Sequence, residues 1–249
     1  MREDFQNAGF PETETPPRTL AIEVFEKLRA DILSCKLPAG MKLRFDDLRE
    51  TYGVGISPLR EALSRLAENR LVVATGQRGF RVPSMTVADI LDISMVRKEI
   101  EGVALRLSIE KGDDAWEARV VAARHKIVLL EKAGKNVAED LWEDRHREFH
   151  FTLVSACQSP CLLHLYSLLC DQFDRYRRLA AQSRLPNAPR TLIHEKILDA
   201  ALSRNADVAV KLLGDHVDEA TKMIVAGFPS SETRDKTPVR KRKKKRARS

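Results

Sequence analysis

From residue 86 to residue 228 the sequence carries one helix signal after another and no strand signal between them. "TVAD" (86–89) is a capping box: its Thr side chain is placed to accept from the amide three residues on. The segment it opens keeps apolar residues at helical spacing to about residue 111. Residues 113–134 repeat the pattern and stop at Gly134. "NVAE" (136–139) is a third capped start, running through His146 and His150 to about Cys157. Ser159 and Pro160 supply a cap and a first-turn proline for a fourth segment, and 188–204 and 205–227 complete six. Such a stretch can bury its apolar stripes only helix against helix. The expected architecture over 86–228 is therefore an all-α six-helix bundle.

The residues ahead of it, 18–84, read differently. A helix over 19–34 is ended by "KLPAG" (36–40), and "RFDDLRETYG" (44–53) is a short helix closed by Gly53. "VGIS" is a turn, and a second helix follows over 57–70, with Ser57 suited to the N-cap and Pro58 to the first helical position. "LVVAT" and "FRVPS" around "GQRG" read as a β-hairpin. Helix, helix-turn-helix, hairpin is the order of a winged helix-turn-helix. Such a unit sets the N-terminal residues of its second helix against base edges in the major groove of double-stranded DNA. Here those are Gly55, Ile56, Ser57 and Arg60; Arg60 is placed for guanine or a phosphate, and Ser57 for a phosphate. Gln77, Arg78 and Gly79 form a hairpin tip able to approach a groove closely. The fold class is mainly α with a small β-hairpin wing.

Composition narrows the remaining choices. Residues 1–17, with three prolines and few apolar side chains, are expected to be a disordered arm, and 229–249 a disordered basic tail. Eight lysines and arginines fall within 240–248, so the net charge of +7 is local and the rest of the chain is near neutral. Such a tail can bind phosphate backbones without reading sequence, or simply be solvated. No apolar run approaches the roughly 20 residues of a membrane span, and the polar N-terminus has no signal core, so a cytoplasmic location is expected. The four cysteines read as reduced thiols. "HREFH" (146–150) lacks the Glu that a zincin needs directly after its first His. Arg147 stands there, and Glu148 points about 200° away around the helix. His194-Glu195 has Leu198 where a second His would be required, and no nucleophile elbow or phosphate loop occurs. An enzyme is not expected.

Four of the six histidines lie on inward stripes of three helices. His146 and His150 share a face with Trp142, Leu153 and Cys157; His194 lies with Ile197, Leu198 and Ala201; His216 lies between Leu212 and Ala220. A single histidine on such a stripe is more often a hydrogen-bonded core residue than a ligand. Arg97 interrupts the apolar stripe of Ile90, Ile93, Ile100 and Ala104, and an inward arginine needs an anionic partner. Glu99 and Glu101 are too near in sequence to be obvious partners, which leaves open an ion pair inside the bundle or a bound anion.

The stretches "LRADILSCKLPAGMKLRFDDLRETYGVGISPLREALSRLAENRLVV" and "GQRGFRV" resemble the winged helix of the GntR family of bacterial transcription factors. "MVRKEIEG" (95–102), "HREFH", "HEKILDAALSRNADVA" (194–209) and "DHV" (215–217) resemble the FCD ligand-binding domain of its FadR subfamily. The resemblance implies a homodimer on a pseudo-palindromic operator and a small organic acid as effector, with relief of repression as the commonest mode. It implies a divalent metal on His146, His150, His194 and His216, and an effector carboxylate held between that metal and Arg97. Two departures matter. The family turn often reads Ser-Arg-Thr/Ser-Pro, whereas Ile56 stands here in place of the arginine and can meet a thymine methyl but not bind guanine. His146 occupies a position the family usually gives to Asp. Four neutral imidazoles favour zinc, or nickel, over magnesium or calcium, and make the site one charge more positive, which suits an anion. Imidazole is also bulkier than carboxylate, so a set of three ligands with His146 aside stays open.

Overall fold

The computed structural model describes residues 19–76, 79–133, 139–181 and 191–228. The expected arm, the basic tail, the "NVAE" start and the wing-tip residues Gln77 and Arg78 lie outside them. The chain divides into two compact units, Met1–Ser84 and Met85–Ser249.

In the first unit, helix α1 (Leu20–Leu33) is capped by Thr19, whose side chain accepts from the Ile22 amide. It buries Val24, Leu28 and Ile32, at the i, i+4, i+8 spacing of one helix face. Helix α2 (Phe45–Tyr52) ends on Gly53, whose left-handed backbone (φ 66°) lets its amide reach back to the Arg49 carbonyl. Tyr52 then donates to Asp31 Oδ2 at 2.6 Å and ties α2 to α1. Helix α3 (Ile56–Glu68) starts two residues before the expected Pro58, with Gly55 as its cap. Proline is tolerated there because first-turn amides have no intrahelical partner. Leu59, Leu63 and Leu66 from α3 are fully buried with Leu28 and Leu48, each worth roughly 1.5–3 kcal/mol of transfer free energy.

The expected hairpin is present as β2 (Val73–Ala74) and β3 (Phe80–Arg81), and a third strand, β1 (Lys42–Leu43), joins it. All pairings are antiparallel in the order β1-β3-β2, with Lys42 opposite Arg81 and Leu43 opposite Phe80. Two residues are too few to give an alternation signal, so β1 had no visible cue.

The second unit is the expected helical bundle. Helix α4 (Val87–Lys111) is capped by Thr86, which accepts from the Asp89 amide; α5 (Asp114–Ala133) follows, with Asp113 Oδ1 accepting from the Trp116 amide. Helices α6 (Glu139–Val154) and α7 (Pro160–Ala181) come next, with Ser159 capping α7 through the Leu162 amide. Helices α8 (Thr191–Leu202) and α9 (Ala206–Gly227) complete it, α9 capped by Asn205. Helix α4 packs on α9 and α7, α5 on α6 and α8, and α8 on α9. Their shared core includes Leu105, Trp116, Phe149, Leu153, Tyr166, Ile197 and Leu213. Cys157, expected on the α6 stripe, lies beyond the helix end at Val154 but is buried in the same core. Tyr176 of α7 accepts from the Thr86 amide at 3.1 Å and donates to Asp89 Oδ2 at 3.4 Å, so it is bonded to the first turn of α4. No described helix is long and apolar enough to cross a membrane.

Two glycines predict opposite effects. A Cβ on Gly112 would lie 2.3 Å from Trp116 Cε3 and 2.6 Å from the Ser108 carbonyl, whereas one on Gly214, inside α9, meets nothing within 4 Å. Gly112→Ala should cost about 1–3 kcal/mol of stability through displacement of the core tryptophan. Gly214→Ala should gain up to about 1 kcal/mol from helix propensity. Denaturant unfolding of the two variants measures both.

Candidate functional site

Helices α6, α8 and α9 deliver four imidazoles to one place. His146 and His150 are one helical turn apart on α6, and their ring centroids lie 4.5 Å apart. His194 of α8 is 5.0 Å from His146 and 5.3 Å from His150, and His216 of α9 is 4.7 Å from His194 and 5.2 Å from His150. One nitrogen from each ring can be chosen so that all four lie within 4.8 Å of one another. His150 Nε2 and His194 Nε2 are 3.4 Å apart. Two nitrogens bound tetrahedrally at the usual zinc distance of about 2.0–2.1 Å would be separated by about the same amount. His125 and His164 are exposed and are not among the residues of the cluster.

Burial sets the protonation of the cluster. His150 and His194 are almost completely enclosed, and His146 is buried with them. Desolvation pushes His216 down to about 3, with the charges of His150 and Arg97 adding to the effect. It also holds His146 well below the ordinary histidine range, reinforced by the Arg177 guanidinium. His150 is lowered too, burial outweighing the upward pull of Glu101. Neutral nitrogen donors are what zinc and nickel take and what magnesium and calcium do not. The cluster can hold such a metal ion.

A polar network backs the cluster. Arg97 of α4 is buried, and its Nε donates to Glu101 Oε2 at 2.9 Å. This corrects the sequence-based view of Glu101 as too near in sequence: residues i and i+4 are neighbours on a helix surface. The guanidinium also lies 4.5 Å from the centroid of the Phe173 ring. Burial alone would raise the Glu101 carboxyl, but Arg97 and the His150 contact override it and bring it to about 2. Glu101 Oε1 receives the Tyr166 hydroxyl at 3.1 Å and lies 3.3 Å from His150 Nδ1. A carboxylate behind one ring nitrogen fixes the proton there and leaves the other nitrogen's lone pair for a metal.

Arg177 of α7 places Nη1 3.0 Å from His146 Nδ1, pairs with Glu143, and bonds Asp174 Oδ1 at 3.0 Å. Trp142 stacks on His146 with centroids 4.7 Å apart. Tyr166, Glu143 and Arg177 were not singled out from the sequence, and Glu101 was weighed there only to be set aside. "DRYRR" (174–178) reads as a solvated charged face, and only the i,i+4 relation of Arg97 and Glu101 could have signalled a partner. Glu148 is engaged by Lys126 and Arg145 on the outer side of α6.

In the first unit, Gly55, Ile56, Ser57 and Arg60 are all exposed at the start of α3. Ile56 presents an apolar side chain to solvent at 45% exposure, and the Arg60 guanidinium lies 5.3 Å from the centroid of the Phe45 ring. Gly79 is present at the wing with φ 152°; Gln77 and Arg78 lie outside the described residues.

Comparisons with known proteins follow the same division. Residues 20–82 match the family model described as bacterial regulatory proteins, gntR family, and residues 92–219 match that of the FCD domain. The HTH-type transcriptional regulator BphR of Paraburkholderia xenovorans is 39% identical over 213 residues, covering 83% of this chain and 86% of that protein. The HTH-type transcriptional repressor GlaR of Escherichia coli is 33% identical over 209 residues, covering 79% and 92%. Among solved structures, McbR/YncC of E. coli superposes with a TM-score of 0.74 at 18% identity, covering 85% of this chain and 99% of that one. That last likeness concerns the fold.

The buried imidazoles predict a pH dependence. In the unfolded chain histidines take up protons near 6.5, whereas His216 in the folded state does so only near 3. The unfolded state therefore binds more protons across that window, and stability falls as pH drops from about 6.5 towards 3. Glu101, with its carboxyl lowered to about 2 from 4.5, contributes stability that is lost only below about pH 4.5. Melting of chelator-treated protein should thus weaken steadily between pH 7 and 5; a flat midpoint over that range would contradict neutral, buried rings.

Proposed function

The chain belongs to the gntR family of bacterial regulatory proteins and carries an FCD domain, and from that premise we propose a metal-dependent, acid-responsive repressor. It is a DNA-binding transcriptional regulator and not an enzyme. In this reading two copies each present one α3 to a half-site of a pseudo-palindromic operator. The observation that carries the sensing half is the convergence of His146, His150, His194 and His216, from three helices, in a buried polar centre.

The cluster would hold a divalent ion, zinc by donor type or nickel. When bound, that ion supplies positive charge on which an oxygen of a small carboxylate can settle. His150 is oriented by Glu101, and Glu101 is held by Arg97 and Tyr166, so the network presets one ligand before any metal arrives. Arg97 is the effector's second anchor in this reading. Its fork has five N–H donors, and Nε serves Glu101. Binding of the acid favours one of two states of the protein, and operator affinity changes by the difference in the acid's affinity for them.

Two measurements test this. His194→Ala should abolish metal retention by elemental analysis and abolish the response of operator binding to small carboxylates, while operator binding itself persists. Metal loss with an intact acid response would instead make the ion a structural staple. In the winged helix, Arg60→Ala should weaken specific operator binding about tenfold or more, the scale of one good base contact, with melting unchanged. An unaltered footprint would remove Arg60 from the interface.

A further inference from the structure

Resting on the reading of the histidine cluster as a metal centre, we propose that the ion is held by three imidazoles, those of His150, His194 and His216. Arg177 keeps His146 out of the ligand set and turns it into a hydrogen-bond donor for an anion on the metal's open position.

The argument concerns which atoms hold protons. A guanidinium has donors and no acceptor, so the 3.0 Å contact between Arg177 Nη1 and His146 Nδ1 makes Nδ1 the acceptor. A second ring proton at Nδ1 would point N–H at N–H, so the ring is neutral and its single proton is on Nε2. Neither nitrogen then has a lone pair to give: one is occupied by Arg177 and the other carries hydrogen.

His150, one turn further along α6, has the opposite arrangement. Its Nδ1 lies 3.3 Å from Glu101 Oε1, which can only accept; a carboxylate there favours the proton on Nδ1 and the lone pair on Nε2, 3.4 Å from His194 Nε2. The charge of the residue behind each ring, carboxylate or guanidinium, decides whether that ring ligates or donates. A carboxylate at position 146 could accept from Arg177 and bind metal at once, because it has several lone pairs. An imidazole has one and cannot do both.

Arg177 is firmly held in this role. It pairs with Glu143, one turn before His146, and with Asp174 at 3.0 Å on its own helix. Three neutral nitrogens around a zinc-like ion leave the fourth position open, as in sites that bind a small molecule on the metal. The His146 ring lies 4.5, 5.0 and 6.0 Å from those of His150, His194 and His216, so it borders the ligand set, and its Nε2–H is the donor assigned to an oxygen bound there.

X-ray absorption at the zinc edge of the zinc-loaded full chain, with equilibrium dialysis for affinity, tests the proposal. The unaltered protein should show three imidazoles per ion. His146→Ala should keep one ion per chain with zinc affinity within about threefold. Arg177→Gln should free Nδ1 and raise the count to four, and His146→Asp should add an oxygen ligand. Four imidazoles in the unaltered protein, or a loss of more than about tenfold in His146→Ala, would overturn this assignment while leaving the metal centre in place. Protein that retains no zinc would overturn the metal centre and this assignment together. The count on the unaltered chain decides the matter even if a variant fails to fold.

Discussion

Polar side chains buried where helices meet must find partners, and the bundle depends on how this is achieved around Glu101. An isolated carboxylate in such a place is strongly disfavoured. Glu101 is instead surrounded by the Arg97 guanidinium, the Tyr166 hydroxyl and the His150 ring, drawn from α4, α7 and α6. The Arg97 pair lies within α4, whereas the Tyr166 and His150 contacts join α4 to α7 and to α6, so the network ties three helices together as well as setting the local charge. Apolar packing alone tolerates small slippages between helices; hydrogen bonds of about 3 Å do not.

That network also supplies what a bare cluster of histidines lacks. An imidazole has two nitrogens and, when neutral, one proton. Its behaviour is undetermined until something behind it chooses a tautomer. On α6 the choice is made twice and in opposite senses, by Glu101 for His150 and by Arg177 for His146. Residues that look equivalent in "HREFH" are therefore chemically distinct in the folded protein.

Much of this was legible in the sequence, and the pattern of what was not is physical. Helix starts at Thr19, Thr86, Ser159 and Asn205 are written locally, because a cap and its amide are three residues apart. The four histidines stood out because they fall on inward stripes and because the spacing resembles a known pattern. Arg177 did not, because its partners Glu143 and His146 are more than thirty residues away and one arginine in a charged run looks like another. Glu101 could have been found, since i,i+4 pairing is a local rule that merely went unapplied. At the DNA-reading end, the order of elements was clear, while the start of α3 shifted to Ile56 because Pro58 is compatible with more than one position in a first turn.

Tyr176 and Arg177 are consecutive in α7. The first grips the amide of Thr86 at the entry to α4, and the second holds the ring of His146. One rod thus has one hand on the sensor ring and the other on the first turn of α4, so α6 and α4 are gripped by neighbouring side chains of the same helix. Any shift of that rod moves both grips together, because consecutive residues of a helix share one backbone.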